Sequence, residues 1–305
     1  MEQRILSSAP YKSFQSERVV VDLFRDHAWA STHGLYYEDL QTQKQRELDV
    51  VARQIWLSGD KAHEWVCRIT VLVEVKTMAG FHLLLSPVES PDTRFFDHIR
   101  WFGDSTGKYK ALSKRFRALG ISLEDIDALI KRAHQHAYPE DRARLWEQMI
   151  RPQSLMAFTS FRETNFGSEK ELDNSVFWRA SRNLRSAQAS IVESMGRSDM
   201  RELLITAEFD HIKDDWVDGM WFTLSRRLNA VDIIHPVVVT DAQLWIVGDE
   251  GPRQCNYARF GEQSYNGAIE WWCDLVNSEH LGDYVAAVSS HYAKRLLASG
   301  GKLSY

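Results

Sequence analysis

Apolar residues recur along this chain with two different periods, and the changes between them mark out its elements. From Gln15 to Trp29 the positions Val19, Val20, Leu23, Phe24 and Trp29 return at helical spacing, and Ser16 followed by Glu17 suits a helix N-terminus. The next apolar stretch, Gly34-Leu-Tyr-Tyr37, predicts a short strand. Two β-branched runs follow, Glu47 to Trp56 and Trp65 to Glu74, separated by the turn formers Ser58 to His63, which is the pattern of a β-hairpin. Helical spacing returns from Leu123 to Ala137, opened by Ser122 and Asp125 as a capping pair, then from Pro139 to Ile150, and again from Glu171 to Met195. Strand character is predicted at Glu202 to Glu208, at Pro236 to Val247 with a hairpin turn over Thr240 to Gln243, and at Ala268 to Val276. His280 to Ala298 predicts a terminal helix.

That order gives a mixed α/β fold: a mixed sheet flanked by helices, with a helical insertion and additional C-terminal strands and helix. We divide the chain into a core over residues 1–90, a mainly helical insertion over 91–200, and an α/β part over 201–305 expected to pack on the same sheet.

The hairpin carries the most informative chemistry. Glu74 and Lys76 stand two residues apart on one strand, so their side chains project from the same face. The midpoint between Asp49 and Glu74 falls between residues 61 and 62, inside the predicted turn, so a regular hairpin sets Asp49 opposite Glu74. Directly opposed side chains have Cβ atoms roughly 4.5–5.5 Å apart, near enough for two carboxylates to share a hard divalent cation. An oxygen-donor pair with open positions suits Mg²⁺, and a neighbouring ammonium orients a nucleophile and offsets charge building on a phosphate. Glu47 shares the Asp49 face by parity but lies further from Glu74, which gives it a supporting or ion-pair role.

Arg46-Glu-Leu-Asp49-Val-Val-Ala52 followed by Val71-Leu-Val-Glu74-Val-Lys76 resembles the PD-(D/E)XK nuclease superfamily, the restriction-endonuclease-like fold, most closely its resolvase and Mrr-like members. The resemblance implies an α-β-β-β-α-β core and a Mg²⁺- or Mn²⁺-dependent deoxyribonuclease. It makes Asp49, Glu74 and Lys76 catalytic, with Asp49, Glu74 and the carbonyl of Val75 as metal ligands. Glu17 matches a glutamate of the first helix that approaches the metal in many such members; as a helix first-turn acid it equally suits the macrodipole. A role in bacterial restriction or phage defence, with DNA as substrate, is a further implication. The alternative is a nuclease-fold subunit that binds nucleic acid or another protein and is inactive without its partner.

Composition narrows the picture. Of 305 residues, 42 are Asp or Glu and 37 Lys or Arg, a formal charge of -5, so positive charge for nucleic acid must be local. It is concentrated in Lys108, Lys110, Lys114, Arg115 and Arg117, a stretch without acids and with Tyr109 and Phe116 interleaved, suited to a phosphate backbone or to a solvated helix face. Arg179, Arg182 and Arg185 form a second stripe at helical spacing, open to the same two readings. The acids from Glu208 to Asp218 read as a helix-entry loop or a surface for a basic partner. Three cysteines, Cys67, Cys255 and Cys273, are too few for a disulfide framework, and no apolar run suits a signal peptide or a membrane span. The expectation is a cytoplasmic protein with no membrane association and with a protein partner or homo-oligomer possible. No Walker A sequence or Gly-x-Ser-x-Gly elbow occurs, and His134 and His136 diverge on a helix rather than sharing a metal.

Overall fold

The run from Val66 to Lys76 is buried along nearly its whole length, and a strand apolar on both faces belongs between two layers of helix. A computed structural model puts it there. It describes residues 2–58, 66–78, 80–87, 99–101, 157–165, 175–210, 230–263, 269–298 and 301–304, with the single positions 117, 122, 124, 125, 127 and 128. The helices are α1 (Glu2–Leu6), α2 (Ala9–Asp26), α3 (Val176–Asp210) and α4 (Leu281–Ala298). The strands are β1 (Ala30–Glu38), β2 (Gln45–Ser58), β3 (Val66–Lys76), β4 (His82–Pro87), β5 (Ile99–Trp101), β6 (Ala157–Thr164), β7 (Ala230–Thr240), β8 (Gln243–Gly248), β9 (Gly251–Cys255), β10 (Tyr257–Gln263), β11 (Ile269–Asn277) and β12 (Gly301–Ser304).

The protein is a mixed α/β fold, as its periodicity predicts. Ten strands run in one mixed sheet in the order β1-β2-β3-β7-β11-β10-β6-β4-β8-β9, while β12 joins β2 and β5 joins β7. β1, β2 and β3 form an antiparallel meander, and β7 lies parallel to both β3 and β11. Pro236 sits in β7 between the segment that pairs β5 and the segment that pairs β11. Among the described residues that edge has no strand partner at the proline, so a missing N–H removes no ladder bond there.

The pleat separates two cores. Cys67, Ile69, Val71, Val73 and Val75 of β3 pack with Val20, Val21 and Phe24 of α2 and with Tyr284, Val285 and Leu296 of α4. Leu72 of the same strand packs on the other face with Phe177, Ala180, Leu184, Ala187 and Ile191 of α3. Those α3 residues recur at helical spacing, so one stripe of the helix covers the sheet. Among the described residues no helix is long and apolar enough to cross a membrane.

Several expectations need correction. The first long helix starts at Ala9 rather than near Ser16. Ser8 caps it, accepting from the Tyr11 N–H, and Pro10 takes a first-turn position. Residues 202–208 are helical, not a strand, because Glu, Leu and Ala favour continuing α3 and a short apolar run has no period of its own. β7 and β8 are not a hairpin: β7 pairs β3 and β11, whereas β8 pairs β4 and β9. The turn between them instead carries the chain round a corner beside the β3–β4 connection, where the Met78 N–H donates to Asp241 and the Gln243 N–H to the Phe81 carbonyl. β4, β5, β6, β9, β10 and β12 are strands that the pattern of hydrophobicity does not predict.

The Ser122–Asp125 capping pair forms, with Asp125 N–H donating to Ser122 Oγ at 3.0 Å. Most of the predicted helix over 123–137, all of 139–150, the acidic segment past residue 210, and Lys108, Lys110, Lys114 and Arg115 lie outside the described residues. Arg117 is described, as an exposed helical position.

Candidate active site

The site forms where two paired strands part. β2 and β3 stay in register from Leu57–Val66 to Val50–Val73, which is the register that opposes Asp49 to Glu74. The ladder stops at Val50, and the Asp49 carboxylate takes the next place: its Oδ2 accepts from the Val75 N–H at 2.7 Å. The N–H and C=O of one residue on an extended strand lie along the same edge, so the Val75 carbonyl faces β2 as well. The Val75 side chain points the other way, into the core under α2 and α4.

Lys76 joins the two acids. Its Nζ lies 2.9 Å from Asp49 Oδ2 and 2.6 Å from Glu74 Oε2. Asp49 and Lys76 keep partial exposure, whereas Glu74 is 1% exposed. Burial pushes the Glu74 carboxyl up to about 7, against the pull of Lys76 and with a further push from Asp49. Burial alone would lower the Lys76 ammonium, but the Glu74 and Asp49 charges together hold it above its ordinary value. Among the described residues Glu74 Oε1 is buried without a hydrogen-bond partner; the Asn183 amide of α3 is near enough to favour the ionised form but does not bond this oxygen. An orphaned buried carboxylate oxygen is costly, and a site that binds a cation is one place where it is kept.

Glu17 approaches from α2. It is mid-helix, so the first-turn explanation does not hold. Its Oε1 accepts from Ser13 Oγ at 3.0 Å, and its Oε2 lies 3.4 Å from His33 Nδ1 of β1. Burial raises the Glu17 carboxyl above its ordinary value; the Ser13 hydrogen bond opposes this and the Asp49 charge adds to it. Glu17 is thus close enough to feel Asp49 and Lys76, while its hydrogen bonds go elsewhere.

Glu47 is exposed on β2 and turned toward Gly34, away from Glu74. Gly34 has φ +64° and lies in β1 between His33, paired with Val50, and Leu35, paired with Leu48. It therefore stands beside Asp49.

The donor set is hard: two carboxylates and a backbone carbonyl suit Mg²⁺ or Mn²⁺ and do not suit a thiolate-seeking metal. Among the described residues no three His, Cys, Asp or Glu side chains converge as a metal-binding group.

Two site residues are not evident from sequence. His33 faces Glu17, and its Nε2 is buried without a hydrogen-bond partner among the described residues. Asn183 reaches toward Glu74 from α3, where its backbone carbonyl accepts from the Tyr37 hydroxyl. A long-range helix contact leaves no local signal. For His33, its place one residue before a glycine in the strand beside Asp49 is the only clue.

Comparison of the chain with family models, with curated proteins and with solved structures finds no match.

Proposed function

We propose that this chain is a divalent-metal-dependent phosphodiesterase of the PD-(D/E)XK type that cuts DNA. The observation that carries the reading is the convergence of Asp49, Glu74 and Lys76 within one shell of contacts, at the point where β2 leaves β3. The chain order α2, β1, β2, β3 and, after the interposed β4, β5 and β6, α3 and β7, with β7 parallel to β3, supports the same reading.

In this reading Asp49, Glu74 and the Val75 carbonyl hold Mg²⁺ or Mn²⁺. When bound, the ion acidifies a water and polarises the phosphate. Glu74 supplies a full negative charge once it has lost its proton, and the unpaired Oε1 is the atom available for the ion. Lys76 orients the attacking water and offsets charge on the phosphate through an ammonium that stays protonated. The Val75 N–H fixes Asp49 Oδ2, which prevents the carboxylate from rotating away. Glu17 and His33 flank the cleft from α2 and β1.

The test is cleavage of plasmid and single-stranded DNA by the purified chain with Mg²⁺ or Mn²⁺. Asp49→Asn and Lys76→Ala are expected to lower the rate by about a hundredfold or more, with circular dichroism unchanged. Equal cutting by the parent chain and both variants would sink the assignment.

A second reading is favoured by one observation: Lys76 already satisfies Glu74 Oε2 and Asp49 Oδ2, as a structural ion-pair network would. The chain would then be a nuclease-fold subunit whose triad ties β2 to β3. Absence of metal-dependent stabilisation, together with loss of fold in both variants, selects it.

A further inference from the structure

On the side of the sheet that α3 covers lies a cavity of about 510 Å³, between the β1–β2 turn and the outer stripe of α3. The volume falls within the range of small-ligand sites, roughly 300–1,000 Å³. Trp178, Arg182, Arg185, Ser186 and Ala189 line it from α3, and Leu40 and Gln41 line it from the turn. On a helix, residues 178, 182, 185 and 189 fall on one face, opposite the buried stripe Ala180, Leu184, Ala187 and Ile191.

Both walls are held in place. The N-terminus of α3 is fixed on β6 by the buried Glu163 carboxylate, which accepts from the Val176 and Phe177 N–H groups at 3.1 and 2.7 Å. Trp178 packs edge-on against Phe260, centroids 6.1 Å apart, and is half-buried at the cavity wall. The turn is held by Asp39, whose Oδ1 accepts from the Gln41 and Thr42 N–H groups at 3.0 Å each and whose Oδ2 pairs with Arg46 at 2.7 Å.

The charges are unequal. Arg185 is paired with Glu262 at 2.6 Å, which fixes its guanidinium at the rim and cancels its charge. Arg182 is exposed and has no ion-pair partner among the described residues, and Arg179 is exposed one turn before it. Trp178 and Arg182 therefore offer a half-open aromatic surface next to an uncompensated guanidinium, which is what a base and its phosphate require. Asn183, next to Arg182 in the chain, reaches Glu74, and the Arg46 guanidinium lies 3.5 Å from Asn183 Oδ1.

We propose that this cavity holds one unpaired nucleotide of a single-stranded DNA segment, its base against Trp178 and its phosphate on Arg182. It rests on the phosphodiesterase reading in one respect: the strand that fills the cavity is the one whose next phosphates reach Glu74 and Lys76. The pocket selects single strands because a paired base cannot turn its face to Trp178.

The test is fluorescence anisotropy with the full chain carrying Lys76→Ala and with EDTA present, so that no cutting interferes. The probe is a short fluorescein-labelled single-stranded oligodeoxynucleotide, compared with its duplex and with free deoxyadenylate. In that background Arg182→Gln is expected to weaken single-strand binding about tenfold and to lower the slope of log affinity against log salt by about 0.7. Trp178→Leu is expected to weaken it about tenfold with the slope unchanged. The Arg182 variant keeps the test decisive if loss of the Trp178–Phe260 contact unfolds the protein. Arg182→Gln binding as tightly as its parent overturns the proposal, and so does a duplex that binds better than the single strand. Deoxyadenylate that binds as tightly as the oligonucleotide, and depends on Arg182, identifies a free nucleotide as the occupant and overturns the strand. Arg182-dependent strand binding by a chain that cuts no DNA supports the cavity and sinks the phosphodiesterase reading alone.

Discussion

Lys76 Nζ lies 2.6 Å from Glu74 Oε2, and the two side chains rise from the same face of β3. The ammonium is what permits a carboxylate with 1% exposure to ionise at all. Lys76→Met removes that compensation, and the cost depends on whether Glu74 is charged. Glu74 has an ordinary value of 4.5 and sits at about 7 in the fold, so the folded chain holds a proton that the unfolded chain releases. Its contribution is therefore most favourable below 4.5 and is lost as pH rises to about 7. Without Lys76 that loss deepens. Lys76→Met is expected to cost about 2 kcal/mol near pH 8 and much less near pH 5, as read from urea unfolding at the two pH values. An equal cost at both would mean that Lys76 does not compensate Glu74.

Under the phosphodiesterase reading, metal binding runs the opposite way with pH. A carboxylate binds a cation only after losing its proton, so on that reading Mg²⁺ would compete with the proton that burial keeps on Glu74. The rise in thermal midpoint on adding Mg²⁺ should be small well below the Glu74 value of about 7 and should grow as pH passes it. Glu74→Gln is expected to lose the metal effect. Without metal it should be more stable than the parent in alkaline solution, by on the order of 2 kcal/mol, since a neutral amide replaces a poorly solvated charge. A Mg²⁺ shift of the same size at every pH, or one retained by Glu74→Gln, would move the metal away from this residue.

The register that opposes Asp49 and Glu74 was legible because it depends only on where the turn falls and on the strict parity of strands. Lys76 was legible for the same reason. What ends the ladder was not: the exchange of a backbone partner at Val75 for the Asp49 carboxylate is a local departure with no mark in the pattern. Nor was β6, whose Ala-Phe-Thr-Ser-Phe-Arg-Glu-Thr reads as a polar connection. Its Glu163 is buried, against the usual preference of glutamate, because it takes up the free N–H groups of α3. Arg182 and Trp178 were visible as helix residues, but the cavity beside them depends on a turn more than a hundred residues earlier in the chain.

A second buried charge cluster lies away from the cleft and holds β7, β10, β11 and α4 together. Asp274 is fully buried; its Oδ1 accepts from Arg259 Nε at 2.6 Å, and its Oδ2 contacts His235 Nε2 and the Tyr284 hydroxyl at 2.7 Å each. Arg259 also lies 3.6 Å over the Trp272 ring. Burial alone would raise the Asp274 carboxyl, but Arg259 and His235 hold it well below the usual aspartate range. A depressed carboxylate stabilises the fold above its ordinary value of 3.8 and withdraws that stability as pH falls through the lower, folded value. Asp274→Asn strands the Arg259 charge in the core and is expected to cost about 3–5 kcal/mol near neutral pH, with a smaller difference from the parent in strong acid. A cost below about 1 kcal/mol by urea unfolding would show that the cluster contributes little beyond its packing.

Gly34 offers a way to disturb Asp49 without touching it. At φ +64° an added Cβ is strained, and it would stand 2.7 Å from Glu47 Oε1. Glu47 is exposed and can swing aside, but the backbone cannot relax without shifting β1 against β2 at the place where Asp49 leaves the ladder. At Gly251, the first residue of β9, with φ +98° and nothing within 4 Å of an added Cβ, a substitution meets the same kind of backbone strain far along the sheet. Gly34→Ala and Gly251→Ala are both expected to cost about 1 kcal/mol of stability. Only Gly34→Ala should also reduce Mn²⁺-dependent cutting, by about tenfold, because a displacement well under an ångström is enough to misplace a reacting group. If both variants cut as fast as the parent while both lose stability, the position of Asp49 is not what limits the reaction. If both cut more slowly to the same degree, the loss comes from stability rather than from geometry.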